Sequence, residues 1–423
     1  MIQNSLKKEP SAFFRWVVLL FVSLAMFGNY YVYDSISPLA DLLAKQLHFS
    51  DSNIGLLNAI YSIPNVFMVL IGGIIIDKIG TRVSTFVFAL LCLLGAGTTA
   101  LGGSLIVMAS GRLIFGLGAE SLIVAVTTII GRWFKGKELS FAFGLNLTLA
   151  RLGSFAALNS PSWGKEFYNN WQMPLIISVI AAVISVVSVI IYWGLDVHAA
   201  KSFSLRQVPK QDEIRFREIF SFSRSYWYVV LLCVTFYSAV FPFQTFAVKF
   251  FMELHGVSRE FGGFLSSMLT LSAMVLTPLF GLFADYFGRR SMLMMFGSLL
   301  LIPVYLLMTY TQINLFIPMA AMGLSFSLIP AVMWPSVAII VDESKLGTAY
   351  GLMTMIQNIG LAAFNLTIGL ANDASGSYTM GMWIFSVLGF LGVAFSILLR
   401  KVETEPGAHG LEMGIGKKVQ DQV

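Results

Sequence analysis

Twelve apolar stretches, each about as long as the 17 to 25 residues a helix needs to cross a bilayer, take up most of this 423-residue chain. They lie near 14–39, 53–77, 82–102, 104–133, 139–162, 172–195, 226–252, 260–284, 289–311, 313–341, 347–371 and 379–399. Hydrocarbon offers no partner to a backbone N–H or C=O, so stretches of this kind must satisfy their own hydrogen bonds as helices. Only 12% of the residues are charged and 57% are hydrophobic, a charged share about half that of a soluble domain. The chain has to be solvated by lipid.

One loop is written twice. GGIIIDKIGTR at 72–82 and GLFADYFGRR at 281–290 each lie between two of the apolar stretches, and Gly73, Asp77, Gly80 and Arg82 recur as Gly281, Asp285, Gly288 and Arg290, all displaced by 208 positions. A single register over four matched positions marks a duplication. The expectation is therefore an all-α membrane protein, twelve transmembrane helices in two pseudo-symmetric six-helix bundles. Along the chain this gives a cytoplasmic N-terminus at 1–13, a bundle at 14–195, a cytoplasmic linker at 196–225, a second bundle at 226–400 and a cytoplasmic tail at 401–423. The linker carries Lys201, Arg206, Lys210, Arg215, Arg217 and Arg224 and has room for a surface helix.

With both termini cytoplasmic, the inner connectors collect most of the 27 lysines and arginines; the outer ones hold Lys45, Lys165, Lys249 and Arg259, and Arg112 and Arg151 fall inside spans. That asymmetry fits the positive-inside rule. The net charge of +5 is then a consequence of topology, and no basic face interleaved with exposed aromatics speaks for nucleic acid. Cys92 and Cys233 sit in predicted spans of different halves, which argues against a disulfide framework. Lys7, Lys8 and Arg15 precede an apolar stretch too long for the core of a cleaved signal, so a first span is expected there. No histidines stand at ligand spacing, no nucleophile constellation is legible and no Walker-type phosphate loop occurs, so neither an enzyme nor a bound metal or cofactor is expected.

The duplicated loops join an acid at one span's end to a base at the start of the next. Asp77 with Arg82, and Asp285 with Arg289 and Arg290, can pair with each other or with a helix terminus and so act as conformational latches. A tight turn with positive-inside anchoring would explain each charge taken singly; the repeated spacing favours the latch.

Deep in the membrane, ionisable groups cost about 2.5 to 3.5 kcal/mol on insertion scales, which makes each a functional candidate. Glu120 precedes Trp133 by 13 residues and Arg151 follows Lys137 by 14, so on consecutive antiparallel helices both lie about 20 Å in from the cytoplasmic ends. They could form a structural ion pair, although desolvation largely offsets the attraction in such pairs. Alternatively they hold the two ends of a zwitterion, Glu120 an ammonium and Arg151, through its planar fork, a carboxylate. The residues alone do not separate these readings.

Polar residues at helical spacing surround them. Tyr30, Tyr33, Asp34 and Ser37 follow one face of the first span, Asn58, Tyr61, Ser62 and Asn65 one face of the second, and Thr354, Gln357, Asn358 and Asn365 lie on the eleventh. Asn146 on the fifth span, Gln244 on the seventh and Trp334 between Pro330 and Pro335 on the tenth complete the candidate ligand contacts. Interhelical hydrogen bonding is the competing use of any single one. Asp34, toward the outer end of the first span, is a candidate outer gate, proton acceptor or plain helix-end acid, and Arg112 either organises packing or influences protonation.

The twelve spans and the duplicated GxxxDxxGxR loops resemble the major facilitator superfamily, and GRLIFGLGAES at 111–121 is similar to that superfamily's fourth-helix motif. YSIPN at 61–65, GLGAES at 116–121, WFKGKELSFAFGL at 133–145, LARLGS at 149–154 and LGTAYGLMTMIQNIGLA at 346–362 resemble the branch typified by the lysosomal dipeptide uniporter, major facilitator superfamily domain-containing protein one. The resemblance implies passage of short peptides by alternating access, passive or weakly coupled, with Glu120 and Arg151 engaging the peptide's amine and carboxylate. The first span lacks the ExxER motif of the proton-coupled oligopeptide porters. The expected function is a dipeptide facilitator, working as a monomer with any accessory subunit undetermined. A proton-coupled or exchanging carrier of small organic anions is the alternative, and a non-transporting receptor or scaffold the third reading. The N-terminal 15 residues hold no acidic dileucine signal, and the sequons at Asn146 and Asn365 lie within spans. A bacterial inner membrane is therefore favoured over a lysosomal one.

Overall fold

A computed structural model describes residues 10–134, 138–202, 222–342 and 345–414. The surface helix expected in the linker falls mainly on 203–221 and so lies outside the described residues.

The helices are α1 (Ala12–Asp34), α2 (Ala40–Leu47), α3 (Asp51–Leu101), α4 (Leu105–Phe134), α5 (Leu139–Leu158), α6 (Ser160–Trp163), α7 (Gln172–Ser202), α8 (Arg224–His255), α9 (Arg259–Phe287), α10 (Arg290–Tyr310), α11 (Phe316–Ile340), α12 (Leu346–Ser375) and α13 (Thr379–Glu403). Serine oxygens set several starts: Ser11, Ser223 and Ser258 accept the orphan amides of Phe14, Tyr226 and Phe261 at the heads of α1, α8 and α9. Left-handed residues set several ends, His48 after α2, Gly256 after α8 and Gly376 after α12.

Among the described residues, eleven helical stretches are long and apolar enough to span a bilayer. The twelfth is folded into α3. As one straight helix its 51 residues would run about 75 Å, more than twice the hydrocarbon thickness. It breaks instead at Gly80, whose φ of 81° and ψ of 161° only glycine adopts readily. Two spans thus run consecutively on either side of the first duplicated loop. The first apolar stretch is longer than expected, continuing from α1 through a 3-10 turn (Ser37–Leu39) and α2 to Leu47.

Contacts group the helices into two compact units that are not continuous in sequence. The first holds the chain up to Ser35, then Phe67–Ala157, then α7. Here α1 packs against α7 and α4, and small residues let the backbones meet. A Cβ on Gly153 of α5 would stand 2.2 Å from the Phe27 carbonyl oxygen, and one on Gly28 would stand 2.3 Å from that of Ala181. Gly95, Gly111 and Gly118 do the same between α3 and α4.

The second unit holds Ile36–Val66, Leu158–Trp171 and the helices from α8 onward. Within it α8 lies against α9, α11, α12 and α13, and α10 against α11 and α13. Phe243 centres an aromatic core, meeting Phe250, Phe251, Tyr305 and Phe385 edge-on at 5.5 to 6.2 Å, a geometry that suits the ring quadrupoles. The opening turns of α3 cross α12 at near-backbone contact: a Cβ on Gly55 would meet the Asn365 carbonyl oxygen at 2.3 Å, and one on Gly369 that of Asp51 at 2.4 Å.

Candidate functional site

In the first unit, Glu120 lies about four helical turns before the end of α4 and Arg151 about three into α5. Each is half-buried. Across from them α1 brings Tyr30, Tyr33 and Asp34. The Tyr30 hydroxyl lies within electrostatic reach of Arg151, Glu120 and Asp34, and that of Tyr33 within reach of Asp34, Arg112 and Glu120. Asp34 takes a hydrogen bond from Ser154, one helical turn beyond Arg151, and faces both Arg151 and Arg112. Three helices thus converge five of the expected residues into one charged and phenolic cluster. The Glu120 carboxylate stands within electrostatic reach of the Tyr30 and Tyr33 phenols.

Asp34 is the last residue of α1 and is half-buried, and the apolar stretch continues 13 residues past it, to Leu47. Its surroundings are built by Arg112. Where α1 stops at Asp34 its last carbonyls lose their intrahelical partners, and the Arg112 guanidinium donates to Val32 O at 3.2 Å and Tyr33 O at 3.3 Å. The Ser35 hydroxyl also donates to Val32 O, at 2.8 Å. Arg112 is buried, with its guanidinium carbon 5.9 Å from the Tyr33 ring centroid and 5.4 Å from that of Phe115. Between the two uses open to it from sequence, this geometry is that of an organiser. Asn29, which sequence reasoning passed over, donates to Ala119 O at 3.3 Å and so ties α1 to the residue preceding Glu120. Asn146, nearer the start of α5, accepts from Ser23 at 3.0 Å.

The remaining expected contacts belong to the second unit. Trp334 is half-buried on α11; its indole N–H donates to Tyr237 Oη at 3.0 Å and its ring stacks on Tyr350 at 6.0 Å. Gln244 is buried on α8, and its backbone carbonyl accepts from Ser37. Asn358 spends a donor on Thr354 O of its own helix at 3.0 Å. Asn365 accepts from Thr245 at 2.9 Å, an interhelical bond. Tyr61 and Asn65 are buried on the outer part of α3. Neither polar atom of the Asn65 amide meets a partner among the described residues, a state that costs about 1 to 3 kcal/mol when nothing else supplies the bond.

The two latch loops are built differently. In the first, Arg82 turns away from Asp77, donating through Nε to Asp196 Oδ2 at 2.5 Å and through Nη2 to the Asp196 carbonyl at 3.0 Å; Arg132 joins the same carboxylate at 3.5 Å. Asp196 is fully buried near the end of α7, while Asp77 is exposed. In the second, Arg290 pairs with Asp285 of its own loop at 2.6 Å, and Arg289 adopts a left-handed φ of 51° beside Gly288 at 67°.

The second unit also holds a charge cluster that the sequence did not single out. Asp41 on α2, 2% exposed, grips Arg259 at the head of α9 with both oxygens, at 3.1 and 2.6 Å. Lys249 on α8 pairs with Asp51, and Asn372 donates to the same carboxylate at 3.0 Å. The Asp373 carboxylate accepts the amides of Asp51 and Ser52 at 2.8 Å each, capping α3 from α12. Of these residues only Lys249 and Arg259 stood out in the sequence, as two of the few bases in the connectors expected outside.

Comparison with known proteins gives a consistent picture. The model of the Major Facilitator Superfamily matches residues 22–261 and 230–419. The curated "Lysosomal dipeptide transporter MFSD1" of Bos taurus is 32% identical over 408 residues, covering 93% of this chain and 87% of that protein; that of Homo sapiens is 32% identical over 92% and 87%. A hexuronate transporter of Escherichia coli K12 is 29% identical over 164 residues, 39% of this chain and 38% of its own. Two solved structures share the fold at a TM-score of 0.74: a point mutant of the nucleoside transporter NupG, 15% identical over 91% of this chain and 99% of its own, and a bacterial homologue of the human lysosomal transporter Spinster, 16% identical over 93% and 98%.

Proposed function

Since this chain belongs to the major facilitator superfamily and is an integral multi-pass membrane protein, we propose that it is a facilitator of dipeptides and similarly short zwitterionic peptides, working by alternating access. The observation that carries the reading is the meeting of α1, α4 and α5, where Glu120 and Arg151 stand at similar depth among Tyr30, Tyr33 and Asp34. A carboxylate in a low-dielectric setting favours a cation close to it, and a peptide ammonium supplies one. Arg151 offers a planar fork to the carboxylate end, and the phenols supply hydrogen bonds that do not depend on the peptide's side chains. The similarity to the mammalian transporters named for dipeptides supports the same substrate class.

Further contacts are assigned to Asn146, Tyr61, Asn65, Gln244, Trp334 and Asn358. Asn65 has the strongest individual case, because a buried amide without a protein partner is relieved by a ligand or water. Gating falls to the latch residues Asp77, Arg82, Asp285, Arg289 and Arg290. Asp34 joins the ligand cluster, as the carboxylate bonded by Ser154 and close to Arg151. On the outer side, the Asp41–Arg259 and Asp51–Lys249 pairs must part whenever the 36–66 segment moves from α8 and α9. The protein works as a monomer in a bacterial inner membrane with both termini cytoplasmic; the lysosomal membrane is the alternative supported by the relatives' names.

The experiment is thermal unfolding of the purified protein against dipeptides, tripeptides, amino acids and organic acids, because a ligand selective for the native state raises its apparent stability. Stabilisation by dipeptides that disappears in Glu120→Gln and in Arg151→Ala is expected. Stabilisation by monocarboxylates or dicarboxylates that survives Glu120→Gln would move the reading to organic anions, with Arg151 as the anion site and Glu120 as a proton switch. The partial match to a hexuronate transporter favours that second reading.

A further inference from the structure

The last described residues, 404–414, do not leave the second unit after α13. Two left-handed glycines, Gly407 and Gly410, each at a φ of 85°, turn the chain back on itself. His409 then lies 2.8 Å from a Glu403 oxygen, and the same buried carboxylate accepts from Ser225 at 2.5 Å. Leu411 is fully buried. The next residue reaches the duplicated loop: the Glu412 carbonyl accepts from the Arg289 amide at 3.1 Å, and its side-chain Oε1 accepts from the Ser291 amide at 3.0 Å. Gly288 and Gly414 lie backbone to backbone, so close that a Cβ on Gly288 would stand 2.5 Å from the Gly414 nitrogen.

The loop needs this help for a reason visible in its residues. The head of α10 carries Arg289 at the cap position, in a left-handed conformation and with no side-chain cap, followed by Arg290. Two cations at the positive end of a helix oppose its dipole, and the first amides of the helix have no acceptor in the helix itself. Glu412, 121 positions downstream of Ser291, supplies both the acceptor and the negative charge. The first loop is held by another device, the buried Asp196 on Arg82. The two copies of the motif therefore differ in what restrains them: one by a side chain inside a helix, the other by a segment following the last helix.

A restraint made by a terminal segment can be lifted without dismantling a span. We propose that residues 404–414 form a built-in strap that restrains the α9–α10 turn and the helix ends on either side of it, and that its release speeds the conformational cycle. Glu412 is the hook and Leu411 the anchor.

The test is hydrogen exchange on the full chain, comparing wild type with Glu412→Ala, Glu412→Gln and Leu411→Ser. Glu412→Ala and Leu411→Ser are expected to speed exchange of the Arg289 and Ser291 amides at least about tenfold, with the acceleration spreading into the end of α9 and the first turns of α10. Glu412→Gln keeps an oxygen acceptor but loses the charge, and should fall between wild type and Glu412→Ala. Acceleration confined to the two amides would reduce Glu412 to a helix cap and overturn the strap, as would unchanged exchange in Glu412→Ala. Uptake of labelled alanylalanine by proteoliposomes then judges the regulatory half: a several-fold rise in Glu412→Ala supports it, and equal or slower uptake by folded protein contradicts it. This arm rests on the dipeptide reading. Should wild type take up no dipeptide, that reading fails, while the spread of exchange still decides the strap.

Discussion

Arg151 and Glu120 are single residues whose chemistry, more than their bulk, carries the account. A charge-assisted hydrogen bond to either end of a peptide contributes about 1.5 to 3 kcal/mol, so Arg151→Ala and Glu120→Gln should each weaken dipeptide binding by about ten- to a hundredfold, measured by calorimetry on the purified protein. Arg151→Lys keeps the charge and loses the fork, and should recover only part of that affinity. Equal binding by wild type and all three variants would remove these residues from the site. Arg112 acts differently, through the Val32 and Tyr33 carbonyls it holds. Truncating it to Ala leaves buried acceptors unpaired and should lower the unfolding temperature with or without ligand, whereas Glu120→Gln should lower it only in the ligand's presence.

The elements depend on close approach. With the Phe27 carbonyl 2.2 Å from where a Cβ would sit on Gly153, Gly153→Ala forces α5 away from α1, and overpacking of this kind costs about 1 to 3 kcal/mol. Thermal unfolding should show the loss, and because Arg151 and Ser154 flank that glycine, dipeptide affinity should fall with it. At this scale much of the molecule was legible from sequence, because apolar stretches of bilayer length leave the backbone no other structure. The break inside α3 was legible too, since Gly80 belonged to the duplicated motif. The extension of the first span to Leu47 was not: Asp34 and Asp41 look like the end of an apolar run, and the groups beside them, Ser154 at Asp34 and Arg259 at Asp41, are distant in sequence. The partner of Arg82 was hidden for the same reason, because Asp196 lies 114 positions away and counted as linker.

For the whole molecule, the proposed alternating-access cycle asks the Asp41–Arg259 and Asp51–Lys249 pairs to break and re-form. Asp41 and Arg259 are both largely withdrawn from solvent, so removing Arg259 leaves the buried Asp41 carboxylate with only the exposed Lys45 ammonium, at 3.3 Å, as an ion-pair partner among the described residues. Arg259→Ala should loosen the 36–66 segment and raise labelling, by a membrane-impermeant thiol reagent, of a cysteine placed at Ser52 at the head of α3. Wild-type labelling in the variant would mean that Asp373 and Lys249 hold the segment without Arg259. Helical spacing brought Tyr30, Tyr33 and Asp34 into view, and the cost of charge inside an apolar stretch brought Glu120 and Arg151. The outer pairs repeat at no spacing, since each joins helices far apart in the chain.

The central claim, a clamp on both ends of a dipeptide, is tested most directly by counterflow of labelled alanylalanine in proteoliposomes competed by the same peptide with its ends masked. The account predicts that free dipeptide competes, that the N-acetylated form and the C-terminal amide each compete at least about tenfold less well, and that Glu120→Gln no longer discriminates against the acetylated form. Equal competition by masked and unmasked peptides, or full discrimination retained in Glu120→Gln, would contradict it.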